Sequence, residues 1–168
     1  MRRRDPHGRS GVAAGCAVIT VSDTRGAADD RSGDVLCAAL ERGGHRVVAR
    51  AWVRDEPAAI RRAARAALRR RGVQAVILTG GTGVAPRDVT PDALAPLIER
   101  PLPGFGELFR ALSYREVGSA AWLSRAGAGV ARGRLLVMLP GSPAAVKLAA
   151  QRLLVPELAH VVTLLARA

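Results

Sequence analysis

Aromatic residues are scarce in this chain of 168 residues: two Phe, two Trp and one Tyr, 3% of the whole. Single-stranded nucleic acids are held largely by bases stacked on aromatic rings, so the scarcity argues against such a partner. Lysine is scarcer still, since Lys147 is the only one and every other basic residue is arginine. Such uneven usage, beside a heavy alanine content, points to a genome-wide compositional bias. Arg2, Arg3, Arg4 and Arg9 fall in a Gly-containing start, and Arg61, Arg62, Arg65, Arg69, Arg70 and Arg71 decorate one helix whose alanines, Ile60 and Leu68 face inward. The formal net charge of +12 therefore reads as a basic tail and a solvated helix face, not a nucleic-acid surface. It still favours capture of polyanionic ligands.

Cysteine is nearly absent. Cys16 and Cys37 lie in apolar segments and match no metal spacing, which sets aside a disulfide framework and a zinc site and suits a reducing cytoplasm. The basic Met1–Arg4 start has no apolar stretch of adequate length behind it, and no run reaches the 18 or so residues that a membrane span needs. HExxH and GxSxG are missing, and neither cysteine has a paired histidine, so zinc and covalent catalysis are disfavoured. His45, opening a strand, and His160, on the last helix, adjoin no informative loop and read as structural.

What is present is a foldable chain, 49% hydrophobic, long enough to bury roughly 70% of its unfolded surface in one domain. A basic, disordered tail is expected over residues 1–14 and a single domain over 15–168. Strands are expected at Cys16–Val21, His45–Val53, Val73–Leu78 and Arg134–Leu139. Helices are expected at Asp34–Arg42, Asp55–Arg71, Pro91–Glu99, Pro143–Leu154 and Pro156–Leu165, with a helix-containing excursion from Pro101 to Leu123. Strands apolar on both faces, alternating with helices, imply an α/β fold: one doubly wound, mostly parallel sheet with helices on both faces.

In such sheets ligands bind beyond the carboxyl ends of the strands. The loop LTGGTGVAPRDVTPDAL lies there, and Gly80, Gly81 and Gly83 allow close backbone approach and an anion-binding nest. It is neither a P-loop, having no lysine after the glycines, nor a GxGxxG dinucleotide fingerprint. Thr90 suits the helix cap with Pro91 behind it, which leaves Asp88 free for chemistry. LPGSPAAV sets Gly141 and Ser142 at a second strand end, with Ser142 able to cap the next helix. SDTR brings Ser22 and Asp23 to the end of the first strand, and Asp55 stands where the second strand meets its helix, a position where capping is the plain role. Asp23, Asp55 and Asp88 thus fall on one edge, and carboxylates beside phosphate nests suggest Mg²⁺ shared with substrate phosphates and hence phosphoryl or nucleotidyl transfer.

The ordered set VSDTR, TGGTGVAPRDVTPDAL, PGFGELFRALS, GSAAWLSRAGAG and LPGSPAAV closely resembles the MoaB/Mog family of molybdenum cofactor biosynthesis proteins, which includes the G domains of gephyrin and its plant counterpart. The resemblance runs from about Cys16 to the end. It implies the molybdopterin-binding domain fold, a homotrimer, and in catalytic members the Mg²⁺-dependent transfer of AMP from ATP to the terminal phosphate of molybdopterin with release of pyrophosphate. By it, Asp55 and Asp88 match the catalytic aspartates and would hold Mg²⁺; Gly80, Gly81 and Gly83 would line the nucleotide phosphates; Thr82 would touch substrate; and Asp23 would lie near the nucleotide. Ser113 matches a serine that holds the pterin, Ser142 stands where some relatives carry Asn, and Ser119 and Arg125 would contact pterin or phosphate. Phe105 reads as packing at a subunit interface, and Glu107, Phe109, Leu112 and Trp122 as helix surface and core. A molybdenum insertase is an implied partner. Two other readings stand beside adenylyl transfer: a B-type paralogue that binds molybdopterin without efficient adenylylation, and a non-enzymatic trimeric scaffold.

Overall fold

The computed structural model describes residues 11–24 and 26–167. The expected tail as far as Ser10, and Arg25 of the SDTR segment, lie outside the described residues. Burial begins at Ala14, whose carbonyl accepts from Arg46 and whose N–H donates to His45 Nδ1 at 3.2 Å.

Six strands form one sheet in the order β2-β1-β3-β6-β5-β4. They are β1 (Gly15–Val21), β2 (Arg46–Val53), β3 (Ala75–Thr79), β4 (Arg100–Pro101), β5 (Gly127–Ala131) and β6 (Arg134–Leu139). The first four in sheet order run parallel, while β5 and β4 are antiparallel to their neighbours. The mostly parallel sheet is as expected, but β4 and β5 are additions to the expected strands. The sequence GAGVA, with no bulky residue before Val130, conceals β5; Gly129 is required there because a Cβ would press on Ile98 at 2.5 Å.

The helices are α1 (Arg31–Arg42), α2 (Pro57–Arg69), α3 (Thr90–Leu94), α4 (Pro103–Val117), α5 (Pro143–Ala149) and α6 (Val155–Leu165). Side chains alternate along each strand, so the sheet feeds two cores. Cys16, Val18, Ile77 and Val137 pack with Leu36 and Leu40 of α1, Phe109 of α4 and Leu158 of α6. Ile19, Val76, Leu78 and Leu136 pack on the other face with Ile60 and Leu68 of α2 and Leu94 of α3.

Several boundaries differ from expectation for local reasons. Helix α1 starts three residues earlier than Asp34 because Asp30 caps it, accepting from Gly33 N–H at 2.8 Å. The helix expected over Pro91–Glu99 ends at Leu94, passing into a 3₁₀ turn (Ala95–Leu97) whose Pro96 has no N–H to extend an α-helix. Trp122, expected as helix surface or core, lies in a 3₁₀ segment (Gly118–Leu123) and is 73% exposed. Helices α5 and α6, expected as separate, form one rod joined by a π-helical stretch at Ala150–Leu154. A π-turn absorbs the extra residue and relieves the clash that Pro156 would make with the preceding turn. Contrary to the expectation that no run is long enough, Pro143–Leu165 has the length and apolar composition to cross a membrane. Its Val146, Ala149, Leu154, Leu158 and Val162 are buried in the first core, while Gln151, Arg152, Glu157 and Leu164 on its other face are exposed.

Candidate functional site

The parallel strands end along one edge, and the order reverses between β1 and β3: the chain leaves β1 towards β2 on one side and returns to β3 on the other. Loops splay apart at such a point and leave a crevice. The crevice here encloses about 390 Å³ and is lined by residues 20–24, Asp55, Thr79, Gly80, Gly81, Arg87, Asp88, Gly141 and Ser142. Four strand ends meet in it.

The glycine pair shapes its floor. Gly80 has φ +102°, and a Cβ there would overlap the Val21 carbonyl oxygen. Gly81 has φ +63°, and a Cβ would stand 2.6 Å from Thr90 Oγ1 and 2.9 Å from Asp55 Oδ1. Only glycine meets both demands, of conformation and of space. Thr90 holds the turn shut: its hydroxyl donates to the Gly80 carbonyl at 2.8 Å and its N–H to the Gly81 carbonyl at 3.0 Å. This corrects the expected cap, since Val89 occupies the cap position of α3 and no side chain caps that helix. No hydrogen bond among the described residues engages the N–H groups of Gly81, Thr82 or Gly83, so the turn retains donors of the kind that cradle a phosphate.

The carboxylates come together from three loops. Asp23 accepts from the Asp55 N–H at 3.2 Å through Oδ1 and pairs with Arg87 through Oδ2. Asp55 does not cap α2, whose cap position is Glu56. Its carboxyl is pushed above the usual carboxylate range, by burial first and then by the negative charge of Asp88. Asp88 lies half-buried, with Oδ2 accepting from the Ala85 N–H at 2.9 Å. Two like charges close enough to disturb each other favour a cation between or beside them.

Among the described residues no group of three His, Cys, Asp or Glu could hold a metal by itself. Asp55 and Asp88 fit Mg²⁺ in the other manner, in which one or two carboxylates share the ion with substrate phosphates. The fourth strand end contributes Gly141 and Ser142. As expected, Ser142 Oγ caps α5, accepting from Ala145 N–H at 3.3 Å. Ser32 of α1 donates to the Gly141 carbonyl at 2.6 Å and ties this loop to the first.

Ser22, Asp23, Asp55, Gly80, Gly81, Asp88, Gly141 and Ser142 are therefore gathered in one crevice. Thr82 and Gly83 stand just behind it: Thr82 is buried, and Gly83 backs onto the Asp88 carboxylate. Ser113 is buried on α4 and does not line the crevice, and Ser119 is exposed in the 3₁₀ segment. Thr20, Thr24, Thr79 and Arg87 line it without having been singled out. Thr79 is the most informative of these, being fully buried with no hydrogen-bond partner for its hydroxyl among the described residues. A threonine closing a buried strand just before paired glycines was the available signal.

The profile of the family described as "Probable molybdopterin binding domain" matches residues 17–160. Over 148 residues the chain is 51% identical to "Molybdenum cofactor biosynthesis protein B" of Bacillus subtilis strain 168, spanning 88% of this chain and 87% of that protein. The protein of the same description from Escherichia coli K12 is 43% identical over 142 residues, 84% of each chain. Among solved structures, one described as "Molybdenum cofactor biosynthesis protein B" superposes with a TM-score of 0.92 at 39% identity, covering 95% of this chain and all of that one. The tungsten cofactor synthesizing protein MoaB of Pyrococcus furiosus superposes with a TM-score of 0.78 at 35% identity, covering 90% and 96%.

Proposed function

Because the chain belongs to the molybdopterin-binding domain family of molybdenum cofactor biosynthesis proteins, we propose that its crevice transfers AMP from ATP to the terminal phosphate of molybdopterin. The observation that carries the reading is the pairing of Asp55 and Asp88 at the rim of a glycine turn with unengaged N–H groups. A carboxylate pair without that turn would suit many cations; together they suit a cation that arrives with phosphates.

The chemistry is an in-line displacement. An oxygen of the pterin phosphate attacks the α-phosphorus of ATP, the bond from that phosphorus to the bridging oxygen breaks, and pyrophosphate leaves with the electron pair. A phosphate nucleophile is already anionic, so no side chain has to remove a proton. Bound Mg²⁺ would supply neutralisation of charge on the phosphates. The protein's share is positioning: Asp55 and Asp88 would hold the ion, the N–H of Gly81 would meet phosphate oxygens, and the N-terminus of α5 beside Ser142 would face a second anionic group. Arg87, paired with Asp23 at the mouth, would receive the polyanions.

The assembly implied by the resemblance is a homotrimer, and Leu108, Tyr114, Val117 and Trp122 offer exposed apolar surface on α4 and the segment after it for subunit contacts. The setting would be cytoplasmic, with a molybdenum insertase to receive the adenylylated pterin. A second reading is favoured by one specific observation, the description of the relatives as biosynthesis protein B: a B-type protein that binds molybdopterin without efficient adenylylation. Pyrophosphate release separates the two. Release that depends on molybdopterin and Mg²⁺ and is lost in Asp88→Asn supports the transferase; pterin binding without release supports the binding protein.

A further inference from the structure

Arg125 follows the 3₁₀ segment and leads into β5, far in sequence from the loop that carries Asp88, yet its backbone N–H and its whole guanidinium are directed to that loop and the helix it leads into. Its backbone N–H donates to the Thr82 carbonyl at 2.8 Å. Its Nε donates to the Gly83 carbonyl at 2.8 Å, one terminal nitrogen donates to the Asp88 carbonyl, and the other meets both carboxylate oxygens of Asp92 at 3.2 and 3.0 Å. One residue thus joins the start of the loop, its catalytic aspartate and the first turn of α3.

The loop needs such a brace. Residues Val84 to Arg87 are exposed and belong to no helix or strand, and ordering them costs conformational entropy. The loop's own bonds are short-range, Asp88 N–H to the Ala85 carbonyl at 2.8 Å and Val89 N–H to the Arg87 carbonyl at 3.0 Å. They fix the shape of the tip, while its place over the crevice depends on longer ties, the Arg87–Asp23 pair and Arg125. Arg125 anchors it to the sheet, and its planar fork holds several acceptors in one geometry, which an ammonium on a flexible stem does not reproduce. It does not itself line the crevice.

We propose that Arg125 is a positioning residue that acts through Asp88: it sets the placement of that carboxylate and makes no contact with pterin or phosphate, in place of the ligand role that the resemblance implies. The kinetic part of this proposal rests on the adenylyl-transfer reading. A misplacement of about 1 Å in a catalytic group costs on the order of 10²-fold in rate, and two residues acting through one interaction have non-additive effects.

The test places Arg125→Lys and Asp88→Asn in a double-mutant cycle, with single-turnover adenylylation and amide exchange measured on each. Arg125→Lys is expected to lower kcat by roughly 10- to 100-fold with KM for both substrates within about twofold, and to add less than about twofold when Asp88 is already Asn. Exchange at Ala85, Asp88 and Val89 should quicken while exchange in β3 stays unchanged. A raised KM at unchanged kcat would overturn the proposal in favour of a ligand contact. Equal losses in both backgrounds would overturn it in favour of a general structural role. Should the wild type give no turnover, the adenylyl-transfer reading fails by itself, and the exchange result alone decides: unchanged exchange at Ala85, Asp88 and Val89 overturns the positioning role.

Discussion

The carboxylate of Asp23 accepts a hydrogen bond from the backbone N–H of Asp55 at 3.2 Å, fastening the loop after β1 to the loop after β2. The same carboxylate pairs with Arg87 in the loop after β3. A single acidic side chain therefore links three of the four loops around the crevice. Asp23→Ala is expected to lower kcat by roughly 10-fold, since Asp55 and Arg87 lose a shared anchor, while costing less than about 1 kcal/mol in stability because the pair is solvent-accessible. Steady-state kinetics beside chemical denaturation measures both.

Gly81 admits no side chain. Its φ of +63° is already unfavourable for L-residues, and a Cβ would press on Thr90 Oγ1 and Asp55 Oδ1. Gly81→Ala is expected to abolish turnover and to cost about 1–3 kcal/mol. Gly26→Ala, where a Cβ meets nothing within 4 Å, serves as the control that leaves stability within about 0.5 kcal/mol.

Asp30 supports the site from beneath. Its buried carboxylate accepts from Thr20 at 2.7 Å, Gly33 N–H at 2.8 Å, Arg50 at 3.0 Å and Trp52 at 3.0 Å. Burial by itself would raise its pKa, but these four donors outweigh it and hold the carboxyl below the usual carboxylate value. A group depressed in the folded state contributes stability above its unfolded value, about 3.9, and loses it as pH falls through the folded value. Asp30→Asn should therefore cost about 2–3 kcal/mol at pH 7, with the gap between variant and wild type narrowing below about pH 4. Urea melts at several pH values would show it; a gap that widened in acid would contradict the assignment.

Burial pushes the Cys16 thiol up to about 12, with the neighbouring Cys37 adding to the shift. Since the thiolate is the reactive form, Cys16 should resist alkylation in the native protein at pH 8 and react on unfolding. Mass spectrometry after timed labelling measures this directly.

Three of the four parallel strands were legible as short apolar runs and β2 by its alternation, and the crevice was legible because its loops carry glycine and aspartate at strand ends. What escaped notice has physical causes. The strand β5 is glycine and alanine apart from Val130 and so carries little strand signal. Asp30 is one of two adjacent aspartates in a polar loop, and only the fold shows it buried among four donors. Thr90 has the composition of a helix cap, but the nearby Gly80 carbonyl takes its hydroxyl. Arg125 carries no local mark of its role, because its partners lie more than 30 positions away. Local signals reveal which loops matter, and long-range contacts decide what each residue in them does.

Adenylyl transfer is tested by incubating the purified protein with molybdopterin, α-labelled ATP and Mg²⁺ and separating the pterin products. The expected result is label on the pterin with one pyrophosphate released per adenylyl group, and a fall of about 10²- to 10³-fold in Asp88→Asn with pterin binding retained. Tight pterin binding with no labelled pterin in the wild type, or full activity in Asp88→Asn, would contradict it.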